Sequence, residues 1–306
     1  MPNWREILDE LRTTGGAHDV VRRKYLTHLH SVSGRNVILY YSGWLQKSNL
    51  QRIGVTLGID DGDKNGFMTA VNKLDRSKGL DLILHTPGGE TAATESIVYY
   101  LRSMFKDDIR AIIPQLAMSA GTMIALACKE IVMGEQSSLG PIDPQVAGVP
   151  AHGIIEEFKT AAAEIKADNI RAAVWQPILA KYSPTLIGEC QKAIDWSNDL
   201  AKQWLTEVMF KGDPAAGQKV STIVNELASH ALTKAHARHI SKDKAKALGI
   251  KVVDLETDQK LQDAVLSVHH ACIHTLTETA AVKIIENHEG AAMISQAAQV
   301  VMQAQQ

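Results

Sequence analysis

Short apolar runs that each end in a turn and hand over to a helix-period stretch constrain this chain more than any other feature. Leu80–His85 runs into Thr86-Pro87-Gly88-Gly89 and then into helical spacing over 91–104. The run 109–114 passes through Ala117-Met118-Ser119-Ala120-Gly121-Thr122 into a small-residue helix over 120–128, and Glu130–Met133 is a further strand. Upstream, Asn36-Val37-Ile38-Leu39-Tyr40-Tyr41 is β-like and opens the sheet. Beyond a Gly/Asp-rich loop at 58–66, Phe67, Val71 and Leu74 mark an amphipathic helix over 67–76. Strands alternating with helical stretches of about 10–15 residues imply βαβ crossovers. The expected fold class is therefore α/β, with a largely parallel-sheet core of βαβ units.

This core is expected over 35–255, with helical N- and C-terminal additions. Residues 1–34 read as a helical extension, with Trp4, Ile7, Leu8 and Leu11 at helical spacing before Gly15-Gly16. A long amphipathic pattern over 153–210 reads as a helical insertion with Pro177 and Pro184 as breaks. A helix-plus-strand unit follows over 240–254, and 256–306 reads as a C-terminal segment that is helical to the end. There, Leu261, Val265, Val268, Cys272 and Leu276 share one side, which needs a surface to bury itself against.

Several function classes are set aside by composition. At 306 residues the chain buries a substantial core, and a net charge of −2 with no basic run excludes a nucleic-acid surface. Three widely spaced cysteines without a CxxC fit a reducing compartment. The polar start, Met1-Pro2-Asn3-Trp4-Arg5-Glu6, is unlike a signal peptide, and the longest apolar stretch, 117–128, is shorter than the roughly 20 residues that cross a bilayer. No membrane partner and a cytoplasmic location are expected.

Ser119 stands where a strand gives way to a helix, so unpaired backbone N–H groups and the positive end of a helix dipole converge near its hydroxyl. A serine there is commonly just an N-cap. Its surroundings favour chemistry: Ala120, Gly121 and Ala125 keep the helix start bare, and Gly88-Gly89 forms a second amide-rich turn at the carboxyl edge where open α/β sheets place their sites. The N–H groups of Gly89 and Ala120 would make an oxyanion hole, and Ser119 would attack a carbonyl. A base is harder to choose among twelve histidines. His230, His236 and His239 lie in a polar stretch before the 241–248 helix. Asp143, in Gly140-Pro141-Ile142-Asp143-Pro144-Gln145, either returns to the same edge or is a turn aspartate between prolines.

Taken together, Thr86-Pro87-Gly88-Gly89, Met118-Ser119-Ala120-Gly121-Thr122 and Gly140-Pro141-Ile142-Asp143-Pro144-Gln145 resemble the serine dehydrogenase proteinase family, distant relatives of Clp proteases and signal peptide peptidase A with the Clp/crotonase fold. The match runs from about 35 to 255, most densely over 80–145, and His236-Ala237-Arg238-His239-Ile240-Ser241 is similar to the family's segment after its late histidine. The resemblance implies an ATP-independent serine peptidase acting on polypeptides as a homo-oligomer. Because such relatives assemble through peripheral helices, it also implies that a second copy covers the apolar side of the 256–306 segment as an oligomerisation element. Residue by residue it implies Ser119 as nucleophile, His236 as base and Asp143 as the group orienting the imidazole. Ala237 and His239 depart from the family's acid and proline, which leaves His230 and His239 open as substitutes. Signal peptide peptidase A relatives use a serine–lysine dyad, for which Lys159 or Lys166 would serve if buried.

No GxGxxG opens a helix, and Gly212-Asp213-Pro214-Ala215-Ala216-Gly217-Gln218-Lys219 has Gln218 in place of the phosphate-loop lysine after a helical pattern, so neither a redox cofactor nor ATP is expected. His269, His270, Cys272 and His274 match no complete zinc motif and read as a solvated or interface helix face rather than a metal site. Two other classes stay open. One is a crotonase-type acyl-CoA enzyme using the same oxyanion hole without a nucleophile; the other is a catalytically inactive peptide-binding scaffold.

Overall fold

The computed structural model describes residues 4–15, 17–52, 55, 57–146, 148–228 and 237–297. Helices α1 (Trp4–Thr13) and α2 (His18–Ser33) precede β1 (Asn36–Ser42), and α3 (Ser48–Arg52) and α4 (Asp63–Val71) lead to β2 (Leu80–His85). The central units are α5 (Thr91–Phe105), β3 (Ile109–Ile113), β4 (Leu116–Ala117), α6 (Ala120–Leu126), β5 (Glu130–Met133) and β6 (Ser138–Leu139). A small hairpin of β7 (Gln145–Val146) and β8 (Val149–Pro150) opens a helical excursion: α7 (Ala151–Ala167), α8 (Ala172–Leu179), α9 (Leu186–Trp204) and α10 (Ala216–Ala228). The chain returns through β9 (Ile240–Ser241), α11 (Lys242–Ala247) and β10 (Val252–Asp254), and continues as α12 (Gln259–Glu278), β11 (Ala281–Asn287) and β12 (Ala292–Gln296).

The main sheet has the order β10-β5-β3-β2-β1-β11-β12. Its first five strands are parallel, while β11 and β12 are antiparallel additions beside β1. Side-chain alternation sends Leu80, Leu82 and Leu84 of β2 into one core with Ile97, Ile124 and Leu200, and Ile83 into another with Leu26, Leu29 and Val265. The sheet is thus covered on both faces, as a parallel sheet must be. Among the described residues no helix is long and apolar enough to cross a membrane.

The C-terminal segment corrects the sequence reading: between Glu278 and Ala297 the chain is not helical but forms the β11–β12 hairpin. All seven residues of β11 are buried, although Lys283 and Glu286 interrupt its apolar pattern. Each charge is paired inside the protein, Lys283 with Asp60 and Asp63, Glu286 with Arg22 and Arg23. Buried ion pairs therefore hid a strand from an alternation test. Helix α12 also finds its covering surface within the chain, packed beside α2 over the sheet, so its apolar stripe needs no second copy. His269, Cys272 and His274 are buried with it rather than solvated. Pro177, expected to break a helix, lies inside α8.

Candidate active site

Four segments meet at one end of a small sheet beside the carboxyl edge of the main one. Beyond β2, Thr86 bridges Ala117, its N–H donating to Leu116 O at 3.0 Å and its carbonyl accepting from Met118 N–H at 3.0 Å. Strand β4 runs parallel to β6, with Ala117 opposite Leu139, and β6 is antiparallel to β9, with Leu139 opposite Ile240. Parallel pairing makes Thr86-Pro87-Gly88, Met118-Ser119 and Gly140 leave at the same end. Antiparallel pairing makes the chain before Ile240 enter there.

Ser119 sits at the N-terminus of α6 with φ 51° and ψ −116°, a backbone conformation in the half of the map that disfavours a side chain. Holding a non-glycine residue there costs about 1–3 kcal/mol. Its side chain does not cap the helix; its carbonyl instead accepts from Met123 N–H at 3.1 Å. The bland N-cap reading thus fails. Ser119 is half-buried, and no described residue hydrogen-bonds its hydroxyl.

The diglycine turn presses against it. A Cβ on Gly88 (φ 98°) would lie 2.6 Å from Ser119 Cβ and 3.0 Å from Ala120 N, so only glycine fits. A Cβ on Gly89 would fall 2.2 Å from Ile59 N. Ile59 pairs with the turn as a short strand would, donating to Gly88 O at 2.7 Å and accepting from Glu90 N–H at 2.9 Å. In such a bridge the N–H of the middle residue points away from its partner. Gly89 is exposed, and among the described residues no backbone carbonyl accepts from the N–H of Gly89 or Ala120. The arrangement can receive an anionic oxygen.

Thr122, one turn into α6, ties in the next segment. Its Oγ1 accepts from Gly140 N–H at 2.9 Å and lies 2.8 Å from Ala117 O. The loop beyond is fastened from both sides: Ile142 N–H donates to Leu227 O at 3.0 Å, and Ser197 Oγ donates to Ile142 O at 3.0 Å. Asp143 is fully buried in this clamped loop. His236 and His230 lie outside the described residues. His239 is exposed and lines an outer groove with Arg238, Ser241 and Lys244. Lys159 and Lys166 are exposed on α7, so the burial that a lysine base requires is missing. Sequence reasoning missed the contact of Gly88 with Ser119, the clamp at Thr122 and the pairing of Ile59. The only advance signals were Gly58, whose added Cβ would meet Gly88 O at 2.8 Å, and Gly121, whose Cβ would meet Thr86 Cγ2 at 2.4 Å.

Beneath the turn, on the opposite face of the sheet, His85 is buried among Tyr41, Trp44 and His269, and burial pushes its pKa down to about 3. Burial lowers His269 as well. Unfolded imidazole takes up a proton below about pH 6.5. Between there and about 3 the unfolded chain binds the extra proton, so stability is full above pH 6.5 and is lost as pH falls. From pH 7 to pH 5 His85 alone should remove about 2 kcal/mol. Urea midpoints at the two pH values should converge in His85→Phe; an unchanged gap would clear His85 of the acid sensitivity.

Residues 19–263, most of the chain, match the family described as ClpP-like SDH-type serine proteinase. The chain belongs to that family. The ClpP-like fold accounts for the parallel α/β sheet with helices on both faces. One uncharacterized protein of Methanocaldococcus jannaschii is 39% identical over 107 residues, 35% of this chain and 37% of its own. Another from the same organism is 30% identical over 190 residues, 62% of this chain and 57% of its own. The chain thus spans less than two thirds of the length of the curated relatives it matches. No solved structure matches it.

Proposed function

We propose that this member of the ClpP-like SDH-type family is an ATP-independent serine peptidase whose nucleophile is Ser119. The observation that carries the reading is the strained Ser119 turn packed on Gly88, with the Gly89 and Ala120 N–H groups left open beside it. A merely structural serine would cap its helix and relax; strain kept at a half-buried hydroxyl is characteristic of a displayed nucleophile.

In this reading Ser119 Oγ bonds to the carbonyl carbon of a peptide while its proton passes to His236. The C=O electron pair moves to oxygen, and the Gly89 and Ala120 N–H groups hold that oxyanion. Collapse breaks the C–N bond, and the leaving amine takes the proton from His236. A water then repeats the sequence, giving its proton to His236, adding to the acyl carbon and returning Ser119 with its hydrogen. Asp143 orients the imidazole. The antiparallel pairing of β9 with β6 supports the assignment, because Ile240 lies opposite Leu139, on the strand that leads into the Asp143 loop.

A fluorophosphonate probe should label the protein once, at Ser119 in the peptide map, and Ser119→Ala should take no label. Labelling that persists in Ser119→Ala would remove Ser119 from its role. An unlabelled wild-type chain that binds CoA thioesters, or one that binds peptides equally with and without Ser119 and never cleaves them, would move it to a different class.

A further inference from the structure

A buried charge cluster that the proposed reaction does not use holds the diglycine turn from outside. Lys283 of β11 places Nζ 2.6 Å from Asp60 Oδ2 and 3.1 Å from each carboxylate oxygen of Asp63. Asp63 Oδ2 also accepts from the Tyr40 hydroxyl at 2.8 Å and from Asp60 N–H at 3.1 Å. Thr86 Oγ1 accepts from Gly88 N–H at 3.2 Å, and the Thr86 hydroxyl lies near enough to the Tyr40 phenol to oppose the rise in its pKa. Lys283, Asp63, Tyr40 and Thr86 are all buried.

Two routes therefore run from one ammonium to one turn. Along the backbone, Asp60 is the residue after Ile59, which makes both hydrogen bonds that flank Gly89. Through side chains, Asp63, Tyr40 and Thr86 lead to the Gly88 N–H. A buried ammonium must keep its carboxylates close, so its strand dictates where the 58–63 loop stands. That strand belongs to the C-terminal hairpin, far along the chain from the turn it steadies.

We propose that Lys283 is a positioning residue: acting through Asp60, Asp63 and Tyr40, it sets the Gly88–Gly89 turn at the distance from Ser119 that an oxyanion needs. The inference rests on the peptidase reading above, and its test separates the two. Lys283→Met removes the anchor, and the double variant Lys283→Met/Asp63→Asn does so without stranding a buried carboxylate, so it carries the test if the single variant does not fold.

Glycine-selective ¹⁵N spectra should show the Gly88 and Gly89 amides moving in these variants while those of Gly148 and Gly212 stay. With a small activated ester, kcat should fall about 10- to 100-fold with KM within about twofold, as displacement of a positioned group by about 1 Å does. Lys283→Arg, which keeps the charge, should recover most of the rate. Unmoved Gly88 and Gly89 amides in a folded variant, or wild-type kcat despite moved amides, would overturn the proposal. A chain that never acylates, even in wild type, while its amides respond to Lys283 would sink the peptidase reading and leave the anchor in place.

Discussion

Gly88→Ala is expected to lower the rate of Ser119 acylation about 10²–10³-fold in a chain that stays folded, comparable to losing an oxyanion donor outright. The new methyl would enter within 2.6 Å of Ser119 Cβ, 2.9 Å of Met118 O and 3.0 Å of Ala120 N. Two of those atoms are backbone, so no flexible side chain can swing aside. Something must shift, and what shifts is the spacing between the turn and the start of α6. Alanine also dislikes φ 98°, which adds strain of about 1–3 kcal/mol. Gly212→Ala separates the two effects. Its φ of 75° imposes similar strain, yet nothing lies within 4 Å of its added Cβ, so activity should not change. Single-turnover labelling with the fluorophosphonate, alongside urea midpoints, reads both quantities. A Gly88→Ala protein that acylates at the wild-type rate would detach the diglycine turn from the reaction.

That prediction marks where the sequence stopped being readable. The two strand–turn–helix units were legible because their signals are local: an apolar run, a glycine pair or a small-residue turn, then helical spacing. Ser119 followed from its place in that pattern. Which glycine does what was not legible, since it depends on Ile59, a residue some thirty positions upstream, bridging Gly89. Strands β4, β6 and β9, which bring the turns at Gly88, Ser119 and Gly140 to one end, have two residues each and carry no periodicity to detect. The C-terminal hairpin was misread for another reason. A strand buried on both faces shows a run rather than alternation, and Lys283 and Glu286 broke that run with charges whose partners are distant in sequence. His85 was read as the end of an apolar run, and burial makes it behave as one.

Glu286→Ala should cost the fold about 3–5 kcal/mol, the usual result of stranding a buried partner. Its carboxylate is fully buried on β11 and accepts from the Nε of Arg22 and, at 2.7 Å, from the Nε of Arg23. Arg22 is itself without exposure; its remaining donors reach Asp19 at 2.8 Å and Thr275 at 3.2 Å. Removing Glu286 leaves that guanidinium inside with one carboxylate, half exposed, to answer it. Replacing both charges, as in Glu286→Leu/Arg22→Met, should recover much of the loss, because apolar groups of similar volume carry no desolvation cost. Denaturant midpoints at constant slope measure this, and a single variant within about 1 kcal/mol of wild type would show that the pair is dispensable. The consequence reaches the site. Glu286 pins β11 from the α2 side of the sheet, while Lys283, three residues earlier, pins the 58–63 loop from the other. Loosening the strand on one face should therefore loosen the diglycine turn on the other. In Glu286→Ala the Gly88 and Gly89 amides should broaden or move before the chain unfolds globally; if they hold still until the midpoint, the two faces of β11 act independently.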